Sequence, residues 1–182
     1  MTESLSGRLL LASPALSDPN FARAVVLVGV HDEEGAMGLV LNRPATVKVA
    51  EAAPALAGAA GQEEPLFVGG PVSPTALVCL VEFLDPERAG LLLVDRIGFP
   101  APDAQVEALE RDSGRVRVFA GYAGWGAGQL DSELGRGDWI VEEALPQDVF
   151  AEDPDGLWSA VLARKGGGYA ALARMPQDPS VN

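Results

Sequence analysis

Short apolar runs recur along the chain, and most of them have the length and composition of β-strands. The first run, 7–14 (GRLLLASP), ends at Pro14, which cannot extend a strand ladder. Two β-rich runs, Arg23–Val30 and Ala36–Asn42, flank the polar stretch 31–35 (HDEEG), so the pattern predicts a hairpin. Further strands are predicted at 65–72, 76–83, 90–99, 115–125 and 138–144. Of these, 76–83 (ALVCLVEF) and 90–99 (GLLLVDRIGF) are almost continuously apolar, which predicts cover on both faces.

Two segments with helical spacing have recognisable end signals. In 102–114 (PDAQVEALERDSG), Asp103 is a candidate N-cap and Gly114 a candidate helix end. The segment 128–135 (GQLDSELG) places its two leucines on one face of a helix. A weaker helical pattern covers 47–56, and 56–64 (LAGAAGQEE) is predicted to be a mobile loop of small residues.

The last helix is predicted within 153–167 (DPDGLWSAVLARKGG), where Asp153 can cap the start, Pro154 suits the first helical position and Gly166 can end the helix. Its apolar positions form one stripe that we expect to be buried, consisting of Leu157, Trp158, Val161 and Leu162. Strands outnumber helices and do not alternate regularly with them. The pattern therefore predicts an α+β fold with a largely antiparallel or mixed sheet.

Length and composition indicate one ordered domain. With 182 residues and 48% apolar residues, the chain can bury one substantial core, and we expect a single domain over 1–182. Its ordered part is predicted at about 7–175, followed by a polar tail at 176–182. The single cysteine, Cys79, forms no disulfide within the chain, the start has no basic leader, and the apolar runs are too short to span a bilayer. These features predict a cytoplasmic protein without membrane contact.

The charge balance disfavours polyanion partners. The formal net charge is −13, and only two lysines are present. Nucleic-acid affinity depends on phosphate neutralisation by Lys and Arg, so direct DNA or RNA binding is not expected. Arg115 and Arg117 occupy alternate positions of a predicted strand, and we interpret them as a solvated face.

The glycine-rich stretch 120–134 (AGYAGWGAGQLDSEL) is a candidate for phosphate or nucleotide chemistry, but its spacing matches no such motif. It lacks the Lys and hydroxyl residue of a P-loop, the G-x-G-x-x-G of dinucleotide sites and the central Ser of a nucleophile elbow. Two interpretations stay open. The start of the following helix could hold an anion, or glycine could only permit a tight turn from strand to helix.

His31, the only histidine, lies beside three carboxylates and is the one acid–base candidate. The alternatives are an ordinary polar hairpin tip or a carboxylate-rich magnesium site. Since no second His and no Cys pair is present, a closed zinc site is disfavoured. Cys79 is interpreted as a buried apolar residue. We therefore expect no metal, no cofactor and no catalytic residue.

Three strand ends, 42–44 (NRP) and the glycine-rich 69–71 (GGP) and 120–134, are predicted to meet at one end of the sheet. Such a meeting would form a shallow pocket with Tyr122 and Trp125 as apolar walls. The candidate binding residues are Asp18, His31, Asn42, Arg43, Gly69, Gly70, Tyr122, Gly124, Trp125, Gln129 and Glu133.

Four blocks of the sequence, 7–44, 67–72 (FVGGPV), 119–134 (FAGYAGWGAGQLDSEL) and 138–141 (DWIV), together resemble the YqgE/AlgH family. The resemblance covers most of the chain. It implies an α+β fold with a bulged, barrel-like sheet flanked by helices. It also implies a bacterial protein labelled as a regulator of transcription, after a member linked to alginate production, with no established catalytic residues to carry over. The small residues before His31 depart from the family pattern, which weakens a catalytic interpretation.

The expected function is that of a non-enzymatic regulatory or binding protein acting through a small ligand or a protein partner, as a monomer or weak homo-oligomer. The alternative is a hydrolase or transferase that uses His31 with Asp18, Asp32 or Glu133. Convergence of these side chains in the fold is the observation that would favour the alternative.

Overall fold

The computed structural model describes residues 3–177, whose ten strands form one strongly curled sheet. The strands are β1 (Arg8–Ala12), β2 (Val25–Asp32), β3 (Gly35–Val40), β4 (Pro44–Lys48), β5 (Pro65–Val68), β6 (Val72–Phe83), β7 (Ala89–Val94), β8 (Ile97–Pro100), β9 (Ser113–Gly126) and β10 (Trp139–Glu143). The helices are α1 (Val49–Ala52), α2 (Ala57–Ala60), α3 (Val106–Asp112), α4 (Gln129–Gly135), α5 (Pro146–Val149), α6 (Leu157–Lys165) and α7 (Gly168–Leu172). Residues 178–182, which are most of the predicted polar tail, lie outside the described residues.

The sheet has the strand order β10-β1-β2-β3-β9-β6-β8-β7, and every pair along this path is antiparallel. A side branch joins it, because β4 pairs antiparallel with β5 and β5 pairs in parallel with β9. The 14-residue β9 is therefore the central strand, bonded to β3, β5 and β6. The sheet curls into a half-barrel flanked by helices, which confirms the predicted α+β fold class.

Both faces of the curled sheet are covered by apolar residues near β1 and β2. Leu9 and Leu11 face a main core that also contains the stripe of α6, and Leu10 faces a second core with Trp125 and Trp139. A third core lies under α1–α3 and includes Val116 and Val118. Successive residues of a strand point to opposite faces, so an apolar run is the expected sequence for a strand between two cores.

Several predicted elements are confirmed. The hairpin forms from β2 and β3, although His31 and Asp32 belong to β2 and the turn itself is Glu33–Glu34. The α6 stripe is buried as expected, and the helix ends at Gly166 with a φ of +80°. None of the helices within residues 3–177 is long and apolar enough to cross a membrane.

Other predictions were wrong. The run 90–99 is a hairpin of β7 and β8 that turns at Asp95–Arg96, and β7 is an edge strand, so Leu91 and Leu92 are each 40% exposed. Leu77 in β6 is also exposed, so continuous apolarity does not show cover on both faces here. The predicted loop 56–64 contains α2, whose Ala59 and Ala60 pack against the third core next to the buried Leu56.

The predicted helix ends also need correction. α3 begins after Gln105, without a side-chain cap from Asp103, and it leads directly into β9, which contains Gly114. The Asp153 carboxylate accepts a hydrogen bond from the Gly156 N–H at 3.2 Å, but α6 starts only at Leu157. Short polar side chains next to Pro and Gly therefore indicate turns correctly here, but the helix starts predicted from them are a few residues too early.

Candidate functional site

The glycine-rich stretch 120–134 is the end of β9, a turn and α4, built around one carboxylate. Oε2 of Glu133 accepts hydrogen bonds from the indole N–H groups of Trp125 at 2.9 Å and Trp139 at 2.8 Å. Its Oε1 accepts a bond from the Gln129 side chain at 3.0 Å. The two indole rings contact edge to face, with centroids 6.0 Å apart. Of the two interpretations of this stretch, the geometry supports the turn, with Glu133 satisfying two largely buried N–H donors.

This arrangement overturns one part of the predicted pocket. Trp125 is only 7% exposed and packs in the second core, so the expectation that it forms a pocket wall was wrong. Tyr122 is half-buried against the main core. The reason lies at Gly121, whose φ of +72° interrupts the strand alternation. Before Gly121 the odd-numbered Phe119 faces the main core, whereas after it the even-numbered Tyr122 does.

The other two strand ends do meet. The Val68 N–H donates to the Arg43 carbonyl at 2.8 Å, and 42–44 and 69–71 then border a concavity of about 380 Å³. Gly69, Gly70 and Gly121 approach one another so closely that a Cβ on any of them would overlap backbone atoms, which explains these glycines sterically. The lining residues are Asn20, Phe21, Val40, Arg43, Pro44, Val68, Gly70, Pro71 and Pro74.

The polar candidates around this corner are engaged in structural bonds. Asn42 is buried and clamps β2, since its side chain accepts from the Val25 N–H and donates to the Arg23 carbonyl, both at 2.9 Å. The Arg43 guanidinium donates to the carbonyls of Asn42 and Ala22, and burial lowers its pKa. These bonds leave little side-chain polarity free to recognise a ligand.

Three candidates remain, Gly124, Asp18 and His31. Gly124 lies in β9 opposite Met37 of β3. Asp18 caps a short 3-10 turn before β2 by accepting from the Asn20 N–H at 2.9 Å. His31 lies in β2 and contacts Leu5 and Asp131, and no hydrogen bond or ion pair within residues 3–177 joins it to Asp18.

One ring nitrogen of His31 accepts a hydrogen bond, and the other faces a carboxylate. Nδ1 accepts from the Leu5 N–H at 3.2 Å, which places the proton of a neutral imidazole on Nε2. Nε2 faces Oδ1 of Asp131 at 3.7 Å, and this oxygen is buried without a hydrogen-bond partner among the described residues. Because Nδ1 is already engaged with a backbone N–H, this geometry gives little support to His31 as a general base. Glu133, another suggested partner of His31, accepts hydrogen bonds from the indole N–H groups of Trp125 and Trp139 instead.

The environment of Cys79 makes its thiol a poor nucleophile. Burial raises its pKa to about 11, and only the thiolate reacts. At pH 8 we expect 5,5′-dithiobis(2-nitrobenzoate) to label Cys79 in the folded protein at least ~100-fold more slowly than in the unfolded chain, whose cysteine has an ordinary pKa of about 8.5. Absorbance at 412 nm with and without denaturant measures this ratio. Similar rates in both states would contradict the burial of this thiol.

No group of three or more His, Cys, Asp or Glu side chains within 3–177 is arranged to hold a metal ion. The carboxylates at 32–34 lie along the end of β2 and its turn, where the Asp32 side chain accepts from the Glu34 N–H at 2.9 Å. The magnesium alternative therefore gains no support from the geometry of these residues.

A larger cleft, of about 660 Å³, lies beside the corner and shares Pro44 with it. One side is formed by α2 and the start of β5, and the other by the segment 150–154 between α5 and α6. Its floor is the strand segment 114–117 of β9. We name it the Arg117 cleft, and it is lined by Pro44, Ala59, Ala60, Glu64, Pro65, Phe67, Gly114, Arg115, Val116, Arg117, Phe150, Ala151, Glu152 and Pro154. Its size lies within the range typical of small-molecule sites.

Arg117 is the central polar group of this cleft. Its side chain is only 11% exposed, and its guanidinium lies 4.3 Å from the ring centroid of Phe67. Nη1 donates to the carbonyls of Val149 at 3.1 Å and Ala151 at 3.4 Å. Burial lowers the pKa of Arg117, and the nearby Glu64 carboxylate acts in the opposite direction. The cleft therefore combines flat apolar walls with a partly desolvated cation.

Sequence reasoning assigned Arg115 and Arg117 to a solvated face, and for Arg117 this was wrong. Both share their face of β9 with Phe119, which is fully buried in the main core. A large aromatic residue two positions after Arg117 indicates that this face enters the core at that end. Arg115, further from the core, is about half exposed and pairs with Glu82 at 2.5 Å.

The fold and the cleft define a single α+β domain with a curled half-barrel sheet and a ligand-sized cleft beside its central strand. The model of the family DUF179, described as AlgH-like, matches residues 9–170. A UPF0301 protein of Streptomyces coelicolor is 47% identical, covering 100% of this chain and 98% of the relative. A UPF0301 protein of Thermobifida fusca is 41% identical, covering 98% and 96%. The chain belongs to the AlgH-like family.

Two solved structures agree with this fold. A crystal structure of a protein from Corynebacterium diphtheriae superposes with a TM-score of 0.86 at 28% identity, covering 96% of this chain and 94% of that one. The solution structure of the AlgH protein from Pseudomonas aeruginosa gives a TM-score of 0.70 at 31% identity, covering 97% and 98%. The resemblance inferred from sequence is thereby confirmed.

Proposed function

We propose that this protein is a non-catalytic binding protein that holds a small ligand in the Arg117 cleft and acts as a regulator through that ligand. The observation that carries the proposal is the cleft itself, a cavity of about 660 Å³ between two segments that meet over the central strand. Phe67 and Phe150 border the cleft with the small exposed parts of otherwise buried residues, and the charged groups lie at its floor and rim. This combination is typical of sites that bind small molecules.

The charges of the described residues support a ligand rather than a nucleic acid. Both lysines and five arginines have a nitrogen within 3.3 Å of a carboxylate oxygen, namely Lys48, Lys165, Arg88, Arg111, Arg115, Arg136 and Arg164. Cations already paired in this way offer little attraction to phosphates. A role in transcription, as the family label suggests, would therefore act through the ligand or through another protein. The cytoplasmic location inferred from sequence also stays a prediction.

The hydrolase or transferase alternative receives less support. It uses His31 with Asp18, Asp32 or Glu133, whereas the His31 ring accepts from the Leu5 N–H and faces Asp131. The other reactive candidate, Cys79, has a raised pKa.

The proposal is tested by filling the cleft. Ala60 lines it, whereas Ala55, in the 3-10 turn that precedes α2, is exposed and does not. We expect Ala60→Phe to abolish thermal shifts produced by a library of small metabolites, and Ala55→Phe to preserve them, with circular dichroism confirming that both variants fold. If no compound stabilises the unmodified protein, or if Ala60→Phe retains every shift, the cleft is not the ligand site.

A further inference from the structure

We infer that the ligand of the Arg117 cleft is a small organic monoanion, a carboxylate carried on a flat apolar body. This inference rests on the proposed function and specifies its ligand class. It is drawn from the unused donors of Arg117, the aromatic surfaces around them and the position of one acidic side chain.

The guanidinium of Arg117 has hydrogen-bond donors that a ligand could use. Nη1 of Arg117 is bonded to two carbonyls, but Nε and Nη2 make no hydrogen bond with any residue of 3–177. The nearest carboxylate oxygen is Oε2 of Glu64, which lies 4.0 Å from Nη2 and is therefore beyond hydrogen-bonding distance. A guanidinium edge with two parallel N–H groups matches the two oxygens of a carboxylate.

Planar side chains form the walls of the cleft around Arg117. Phe67 stacks on one side of the Arg117 guanidinium at 4.3 Å, and Phe150 lies 5.8 Å away. The Arg115 guanidinium covers the same Phe150 ring at 4.5 Å while its own N–H groups are directed to Glu82. The pocket beside the free edge of Arg117 is therefore bordered by planar groups, which favour a flat ligand body.

The acidic side chain of Glu64 lies next to the unbonded edge of Arg117. Its side chain is 48% exposed and makes no hydrogen bond to Arg117, so it can turn towards solvent without losing a bonded partner there. In the present arrangement its carboxylate is the one nearest to the unbonded Nη2 of Arg117 among residues 3–177. With Glu152 on the rim as a second negative charge, the site suits a singly charged anion better than a dianionic phosphate.

The experiment compares 2-naphthoate with its neutral amide, 2-naphthamide, by isothermal titration calorimetry. We expect the carboxylate to bind at least about 10-fold more tightly than the amide, because a bidentate charge-assisted pair forms only with the anion. Equal affinities would overturn the inference while leaving the proposed function standing. Binding of neither probe, or tighter binding of inorganic phosphate than of the carboxylate, would also overturn the inference.

Two test variants and one matched control separate a change in ligand binding from a change in folding. Glu64→Gln removes the competing charge from an exposed side chain, and we expect it to tighten 2-naphthoate binding about 3- to 10-fold without changing the affinity for the amide. The matched control is Glu63→Gln, since Glu63 pairs with Lys48 outside the cleft and should leave the affinity unchanged. Arg117→Lys should weaken carboxylate binding about 10-fold, because lysine keeps the charge but lacks the planar fork. A Glu64→Gln variant with unchanged or weaker carboxylate binding contradicts the inference.

Discussion

Replacing Asp148 with alanine is expected to lower the free energy of unfolding by about 2–3 kcal/mol, because it removes the charge-assisted bonds to Arg164 and leaves the Leu145 N–H without its acceptor. Asp148 is 2% exposed, and both of its oxygens accept bonds from Arg164, each at 2.9 Å. The carboxylate also accepts from the Leu145 N–H at 2.8 Å, which fixes the start of α5. Urea denaturation followed by circular dichroism measures the loss.

This pair also supports the cleft. α5 ends at Val149, whose carbonyl accepts from Arg117, so loosening α5 should loosen one wall of the Arg117 cleft. The control is Glu63→Ala, which breaks an exposed ion pair with Lys48 and should hardly change stability. If the two variants unfold at the same urea concentration, Asp148 does not carry the stabilisation assigned to it.

Replacing Glu133 with alanine is expected to lower the free energy of unfolding by about 2–4 kcal/mol, since each of two largely buried indole N–H groups would lose its acceptor. Trp125 and Trp139 are 7% and 5% exposed, so water has little access to replace the carboxylate. Glu133→Gln keeps one oxygen acceptor and should lose about half as much. Tryptophan fluorescence during urea denaturation reports the change directly.

Gln129→Ala is the matched control for this carboxylate, because Gln129 is exposed and bonds to its other oxygen. We expect a loss of less than about 0.5 kcal/mol for this surface change. A Glu133→Ala variant as stable as Gln129→Ala would show that the indole bonds contribute little. In that case the glycine-rich stretch would need another explanation.

The sequence predicted local elements well because their signals are local. The hairpin of β2 and β3 and the buried stripe of α6 follow from periodicity within a few residues. The edge position of β7 could not be read in this way, since it depends on which strands pair across the whole sheet. The same limit applies to α2, whose Ala59 and Ala60 pack against a core formed largely by distant strands.

The candidate site was predicted only in part, and one residue explains much of the difference. Gly121 reverses the inward and outward faces of β9, so Trp125 enters a core instead of lining the corner where 42–44 and 69–71 meet. A positive φ at a single glycine cannot be inferred from apolar alternation. Conversely, Arg117 was assigned to solvent because its neighbours alternate regularly, while Phe119 on the same face indicated burial.

Binding in the Arg117 cleft is tested most directly by a titration of ¹⁵N-labelled protein with 2-naphthoate, followed by amide NMR shifts. The account predicts that the perturbed amides cluster at 59–64, 114–117 and 150–152, which border the cleft from three sides. Amides around Gly70, at the neighbouring corner, should respond less. Saturable shifts confined to that corner or to the turn at 126–129, or no shifts at all, would contradict the account.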